Sequence, residues 1–150
     1  MTASHFMKAA LEEAQKAKAA GEVPVGAVII HETKIIARAH NHVIRHKDPT
    51  AHAEMLVIRA AAQILQNERL QNCDLYVTLE PCPMCLAAIS HARIKRLYYG
   101  ADDLKSGGIS ASAGLVHAPS LHHKSEIYDG ICESECQQIL RDFFAELRAC

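Results

Sequence analysis

Residues 74–101, DLYVTLEPCPMCLAAISHARIKRLYYGA, constrain the architecture more than any other part of the chain. The apolar run DLYVTL reads as a buried strand, PMCLAAISHAR as a helix with Pro83 in its first turn, and IKRLYYGA as the next strand. Strand, helix and strand in that order imply a parallel crossover unit. A sheet built this way is buried on both faces, so the remaining segments have to supply its cover.

Those segments are legible by their periodicity. Phe6, Met7, Ala10, Leu11, Ala14 and Ala17 recur at three- and four-residue steps between Lys and Glu, which predicts an amphipathic helix ended by Gly21. The runs PVGAVII and KIIARAHNHVI, joined by His31-Glu32-Thr33, predict an antiparallel hairpin. After the polar loop RHKDPT, Met55, Ile58, Ala62 and Leu65 keep helical spacing, with Thr50 or Asp48 expected to cap the start. DDLKSGGISASAG reads as a Gly/Ser-rich loop, and CESECQQILRDFFAELR as a closing helix with Ile139, Leu140, Phe143, Phe144 and Leu147 on its apolar side. Neither repeat nor linker interrupts the 150 residues, of which 49% are apolar and 22% charged, so residues 1–150 are expected to form one domain. The expected fold is a three-layer α/β/α sandwich around a mixed sheet of five strands.

Composition removes several classes of function. The longest apolar runs fall short of the roughly 18 to 20 residues that cross a bilayer, so no membrane span is expected. The amino terminus lacks an apolar signal core, and Glu12 and Glu13 argue against a transit peptide, which makes the cytoplasm the expected address. In that reducing compartment the six cysteines are thiols or metal ligands before they are disulfides. A formal net charge of −1 gives no global signal for nucleic acid, and any polynucleotide would have to be held by local patches.

Cys82-Pro83-Met84-Cys85 by itself fits a redox pair, half of a structural zinc module, or part of a catalytic metal site. Chain geometry favours the last. The helix beginning near His52 runs out roughly 21 Å at 1.5 Å per residue, and the strand from Asp74 to Leu79 returns roughly 20 Å. The cysteine turn should then lie beside His52 and Glu54, with two helix amino ends favouring thiolates at Cys82 and Cys85. One imidazole and two thiolates suit zinc and leave a fourth position open for water, from which Glu54 is placed to take a proton. A structural module would need a fourth protein ligand, for which Cys73, Cys132, Cys136 or the His122-His123 pair are the spare candidates.

TAHAE and PCPMC resemble the H-x-E and P-C-x-x-C signatures of zinc-dependent nucleoside and base deaminases. EVPVGAVI, DPTAHAE, DLYVTLEPC, RIKRLYYGADDLKSG and LRDFF extend the likeness, from about residue 5 to residue 147, to bacterial tRNA-specific adenosine deaminases. CPMCLAAI is also similar to the corresponding turn of bacterial guanine deaminases. The resemblance implies a cytidine deaminase-like fold, one Zn2+ per chain, a homodimer, and conversion of the wobble adenosine of a tRNA anticodon to inosine. It also implies metal binding by His52, Cys82 and Cys85, and proton transfer by Glu54. It places the Asn41 amide against base or ribose, the backbone of Ala53 and the Pro81 turn near the base, Asp48 and Asp103 along the nucleotide path, and Phe144, or Phe143, on a splayed base. Arg45, Lys47, Lys95, Arg96, His122, His123 and Lys124 are the basic residues available for phosphates of an anticodon stem-loop.

Overall fold

The computed structural model describes residues 2–110 and 114–149. Helix α1 (Ala3–Ala19) is followed by β1 (Gly26–His31) and β2 (Lys34–His40), then α2 (Ala53–Leu65), β3 (Cys73–Leu79), α3 (Pro83–Ala92), β4 (Arg96–Ala101), a 3-10 turn (Leu115–His117), β5 (Glu126–Tyr128) and α4 (Glu133–Ala149). The strands lie in the order β2-β1-β3-β4-β5. β1 is antiparallel to β2 and β3, whereas β3, β4 and β5 are parallel, so the sheet is mixed. Val25, Ala27, Ile29, Leu75, Val77 and Leu97 face a core completed by α2 and α3, and Val28, Ile30 and Tyr76 face a second core completed by α1 and α4. This is the three-layer sandwich, with two cores because alternate residues of each central strand point to opposite helical layers.

Local chemistry explains the boundaries. α1 ends through Gly21, whose φ of +79° is reached without a β-carbon penalty, and the Glu22 N–H closes onto the Ala17 carbonyl. The hairpin turns on Glu32 and Thr33, both at positive φ, within the three-residue link. Two expectations needed adjustment. The second hairpin strand stops at His40, because residues 43–47 are taken into turns in which the His46 N–H bonds the His42 carbonyl. The first N–H of α2 is capped neither by Thr50 nor by Asp48: Asp48 is occupied by the Thr50 N–H and hydroxyl at 2.8 and 2.7 Å, and the Ala53 N–H goes to Asn41 Oδ1 at 2.9 Å. β5 is a three-residue edge strand, too short for a periodic signal, and Cys150 lies outside the described residues.

Gly26 lies where α1 presses on the sheet, and a β-carbon there would run into the Ala10 carbonyl and the Ala14 nitrogen. Gly26→Ala is therefore expected to cost about 1–3 kcal/mol, the usual cost of overpacking a tight contact. Urea titration of the zinc-loaded variant checks this, and an unchanged midpoint would contradict the tight approach.

Candidate active site

Helix α2 starts beside the carboxyl end of β3 because the out-and-back path through α2 and β3 closes. His52 is the N-cap of α2, Cys82 is the N-cap of α3, and Cys85 lies in the first turn of α3 behind Pro83. The amino ends of both helices thus converge on one point, where the helix dipoles favour negative charge. His52 Nδ1 lies 3.6 Å from Cys82 Sγ and 3.4 Å from Cys85 Sγ. The three donor atoms fall within 4.8 Å of one another, and no other such cluster occurs among the described residues. Tetrahedral zinc, with Zn–N of about 2.0 Å and Zn–S of about 2.3 Å, separates nitrogen from sulfur by roughly 3.5 Å, so the donor set fits that ion.

Without metal the three donors share protons. The hydrogen bond from the Cys85 thiol, aided by His52, brings the Cys82 thiol down to about 4 against the opposing effect of burial. The same bond, with burial, drives Cys85 far above an ordinary thiol, and the hydrogen bond with Cys82 raises His52. A thiol held at about 4 is deprotonated at every pH above that value. In metal-free protein, Cys82 should therefore alkylate with iodoacetamide at a nearly constant rate from pH 8 to pH 5, where an ordinary thiol slows about tenfold per pH unit. Burial instead pushes Cys73 up to about 11 and Cys136 up to about 12, which keeps them unreactive. Peptide mapping after alkylation reads this out. A Cys82 rate falling tenfold per unit would refute the shared proton, and zinc should protect the site.

Glu54 is 4% exposed, and its burial lifts the carboxyl to about 7. It opens, with His52 and Cys82, onto a cleft of about 400 Å³ walled by Val23, Val25, Asn41, Ile44, Leu79 and Asp103. That volume lies in the range of small-ligand sites, and the apolar walls with few inward polar groups suit a flat base. Asn41 lines the cleft, is buried, donates to the Val23 carbonyl at 3.1 Å and accepts from Ala53, so it joins the end of β2 to the start of α2. Ala53 and Pro81 stand behind the wall: the Ala53 N–H is used by Asn41, and the Pro81 carbonyl accepts from Gly108. Phe144 is 41% exposed and borders an adjoining groove with Leu104 and Leu140, while Phe143 is half-buried and meets Phe144 edge-on.

The basic residues do not form one patch. Arg45 and Lys47 project from the exposed loop beside the cleft, whereas Lys95 and Arg96 sit at the start of β4, roughly 17 Å further along the sheet. Arg96 is paired with Asp74 at 2.9 Å, Lys124 binds the Val116 and Ala118 carbonyls, and His123 binds the Ile94 carbonyl.

Two cleft residues escaped the sequence reading. Glu22 and Glu80 are each 2% exposed. Glu22 accepts from the Ile44 and Arg45 N–H groups at 3.1 and 2.8 Å. Glu80 accepts from the N–H groups of Asp103, Ile109 and Ser110 and from the Ser110 hydroxyl. Burial alone would raise the Glu80 carboxyl, but these donors outweigh it and hold the group below the usual carboxylate range. The available signal was a lone acid wedged between Leu79 and Pro81 at the end of an apolar run.

A buried carboxyl set beside one imidazole and two thiols, on a three-layer sandwich, defines a zinc-dependent deaminase. The family model for the cytidine and deoxycytidylate deaminase zinc-binding region matches residues 1–101, and the chain belongs to that family. Within it, the chain is 51% identical over 145 residues to the tRNA-specific adenosine deaminase of Agrobacterium fabrum (strain C58), covering 97% of this chain and 95% of the relative. A solved structure from biochemical and structural studies of A-to-I editing by tRNA:A34 deaminases at the wobble position of transfer RNA superposes with a TM-score of 0.89 at 50% identity, over 91% of this chain and 99% of that one. The guanine deaminase of Bacillus subtilis superposes with a TM-score of 0.65 at 44% identity, over 68% of this chain and 66% of that one.

Proposed function

We propose that this chain deaminates adenosine in a tRNA anticodon at the wobble position, giving inosine and ammonia. The observation that carries the chemistry is the approach of Cys82 and Cys85 to His52 Nδ1, at 3.6 and 3.4 Å, beside a buried Glu54 that lines a base-sized cleft. The near-full-length likeness to tRNA-specific adenosine deaminases supports the substrate.

His52, Cys82 and Cys85 would hold zinc, which supplies the Lewis acidity that makes water a nucleophile at neutral pH. Glu54 accepts a proton from the attacking water and delivers one to the purine ring nitrogen as the C6–O bond forms. It then takes the proton of the new C6 hydroxyl and delivers it to the exocyclic amine, so that the C6 carbonyl forms, the C6–N bond breaks and ammonia leaves. The hydrophobic walls exclude bulk water, and Asn41 orients the base or ribose through its remaining amide capacity. Asp103 and the exposed face of Phe144 are proposed to meet the flanking nucleotides, with Arg45 and Lys47 on neighbouring phosphates. Ala53 and Pro81 set the shape of the wall near the base, and Asp48 the shape of the loop along the nucleotide path.

We also propose that residues 1–150 act as one domain in a cytoplasmic homodimer, which light scattering tests. No helix among the described residues is long and apolar enough to cross a membrane.

Incubation of zinc-loaded protein with an anticodon stem-loop, guanine, cytidine and adenosine separates the readings. Inosine in the stem-loop alone is expected. Xanthine from guanine would instead establish a free-base deaminase, and absence of any product would make the metal site structural. Stem-loop binding should weaken as salt rises, and affinity unchanged across a salt series would remove the phosphate contacts.

A further inference from the structure

The cleft is bounded on one side by the loop from Asp102 to Ser110, and nothing covalent holds that loop against the cysteine turn. Most of its hydrogen bonds to the cysteine turn go to one buried side chain. Glu80, two residues before Cys82, receives the Asp103 N–H at 3.0 Å, the Ile109 N–H at 2.9 Å, the Ser110 N–H at 2.7 Å and the Ser110 hydroxyl, so donors from both ends of the loop meet on one carboxylate. The Gly108 N–H adds a bond to the Pro81 carbonyl at 2.8 Å, and the Gly107 N–H turns back to the Asp103 carbonyl at 2.9 Å. The space beside the carboxylate is kept by Gly107, where a β-carbon would strike it. Asp103 and Ser106, the two loop residues on the cleft wall, are suspended between these anchor points.

We infer that Glu80 is a positioning residue for substrate: it clamps the 102–110 loop so that Asp103 and Ser106 form one wall of the substrate cleft. The inference rests on the proposed deaminase reading for its kinetic consequence, but not for its structural one. A carboxylate is the side chain suited to this task, because it accepts all four hydrogen bonds and presents no donor of its own. Glutamine at the same place would turn two N–H groups toward backbone N–H groups, and at least one loop attachment would be lost. The loop bonds described above go to Glu80 and Pro81 and not to the reacting groups His52, Glu54, Cys82 and Cys85, so the expected damage is to substrate capture and not to the chemical step.

The test uses the zinc-loaded full chain in three forms: unchanged, Glu80→Gln, and Ser110→Ala, which removes the hydroxyl donor from the carboxylate without altering Glu80. Amide hydrogen exchange followed by mass spectrometry should show peptides covering residues 103–110 exchanging at least tenfold faster in both variants, with β4 unchanged. Steady-state kinetics on the anticodon stem-loop should show KM raised about tenfold or more, kcat within about threefold, and zinc at one per chain. Unchanged exchange in the loop would overturn the clamp. A loosened loop with unchanged KM would overturn its role in substrate positioning, and a fall in kcat with loss of zinc would show that Glu80 serves the metal turn instead. If the unchanged protein converts guanine and leaves the stem-loop intact, the proposed function fails, while the exchange data and the KM comparison on guanine still decide the inference. If Glu80→Gln does not fold, Ser110→Ala decides it alone.

Discussion

Replacing Glu54 with glutamine is expected to lower kcat by about three orders of magnitude or more, near the upper end of the roughly 10²- to 10⁴-fold range of a single general acid–base group. The large figure follows from the number of transfers assigned to one side chain. The reaction needs one proton removed from water and a second from the resulting C6 hydroxyl, delivered to the ring and to the departing amine, and Glu54 is the buried carboxyl that opens onto the cleft beside the three donors. An amide of the same shape can hydrogen-bond but cannot exchange those protons. Folding should survive: burial disfavours the carboxylate, lifting the group to about 7, so an uncharged isostere is not expected to lower the melting temperature. The measurement is ammonia release by Glu54→Gln after confirmation of one zinc per chain. Activity within tenfold of the parent in that zinc-loaded variant would remove Glu54 from the proton path.

Loss of a metal donor should have an equally large effect by a different route. His52→Ala is expected to abolish stoichiometric zinc and reduce deamination to background, because two thiolates remain and a tetrahedral site then lacks its nitrogen. A ligand that binds only the folded state stabilises it by about 4.1 kcal/mol at roughly 1,000 times its Kd. Zinc should accordingly raise the melting temperature of the parent and leave that of His52→Ala nearly unchanged. Calorimetry with and without a chelator reads this directly. Retention of one tightly held zinc per chain in His52→Ala would mean that His52 is not a ligand. The two variants are also distinguishable from each other, since Glu54→Gln keeps the zinc-dependent melting shift and His52→Ala loses it.

Much of this was readable from residue order. The parallel crossover followed from an apolar run, a proline-started helical segment and a second apolar run, and β3, α3 and β4 occupy those residues. The approach of Cys82 and Cys85 to His52 followed from matching the length of a helix against that of the returning strand, both of which have fixed rises per residue. Where the reading failed, the interaction was long-range. The cap of α2 comes from Asn41, twelve residues upstream, and no local pattern distinguishes that from a cap by Asp48 or Thr50. The basic residues read as one resource for phosphate, but the sheet sends Lys95 and Arg96 to the end away from the cleft and Arg45 and Lys47 to its rim.

The cysteine turn shows the division most clearly. Sequence alone determined which chemical groups are present, their spacing within each motif, and the secondary structure that carries them, because periodicity and turn chemistry act over a few residues. Tertiary structure alone decided what surrounds those groups: the burial that lifts Glu54, the Asn41 bridge from β2 to α2, and the single carboxylate of Glu80 that gathers four donors from a loop more than twenty residues away. Desolvation and hydrogen bonding depend on what lies within a few ångströms in space, and chain order does not encode that distance until the sheet has closed.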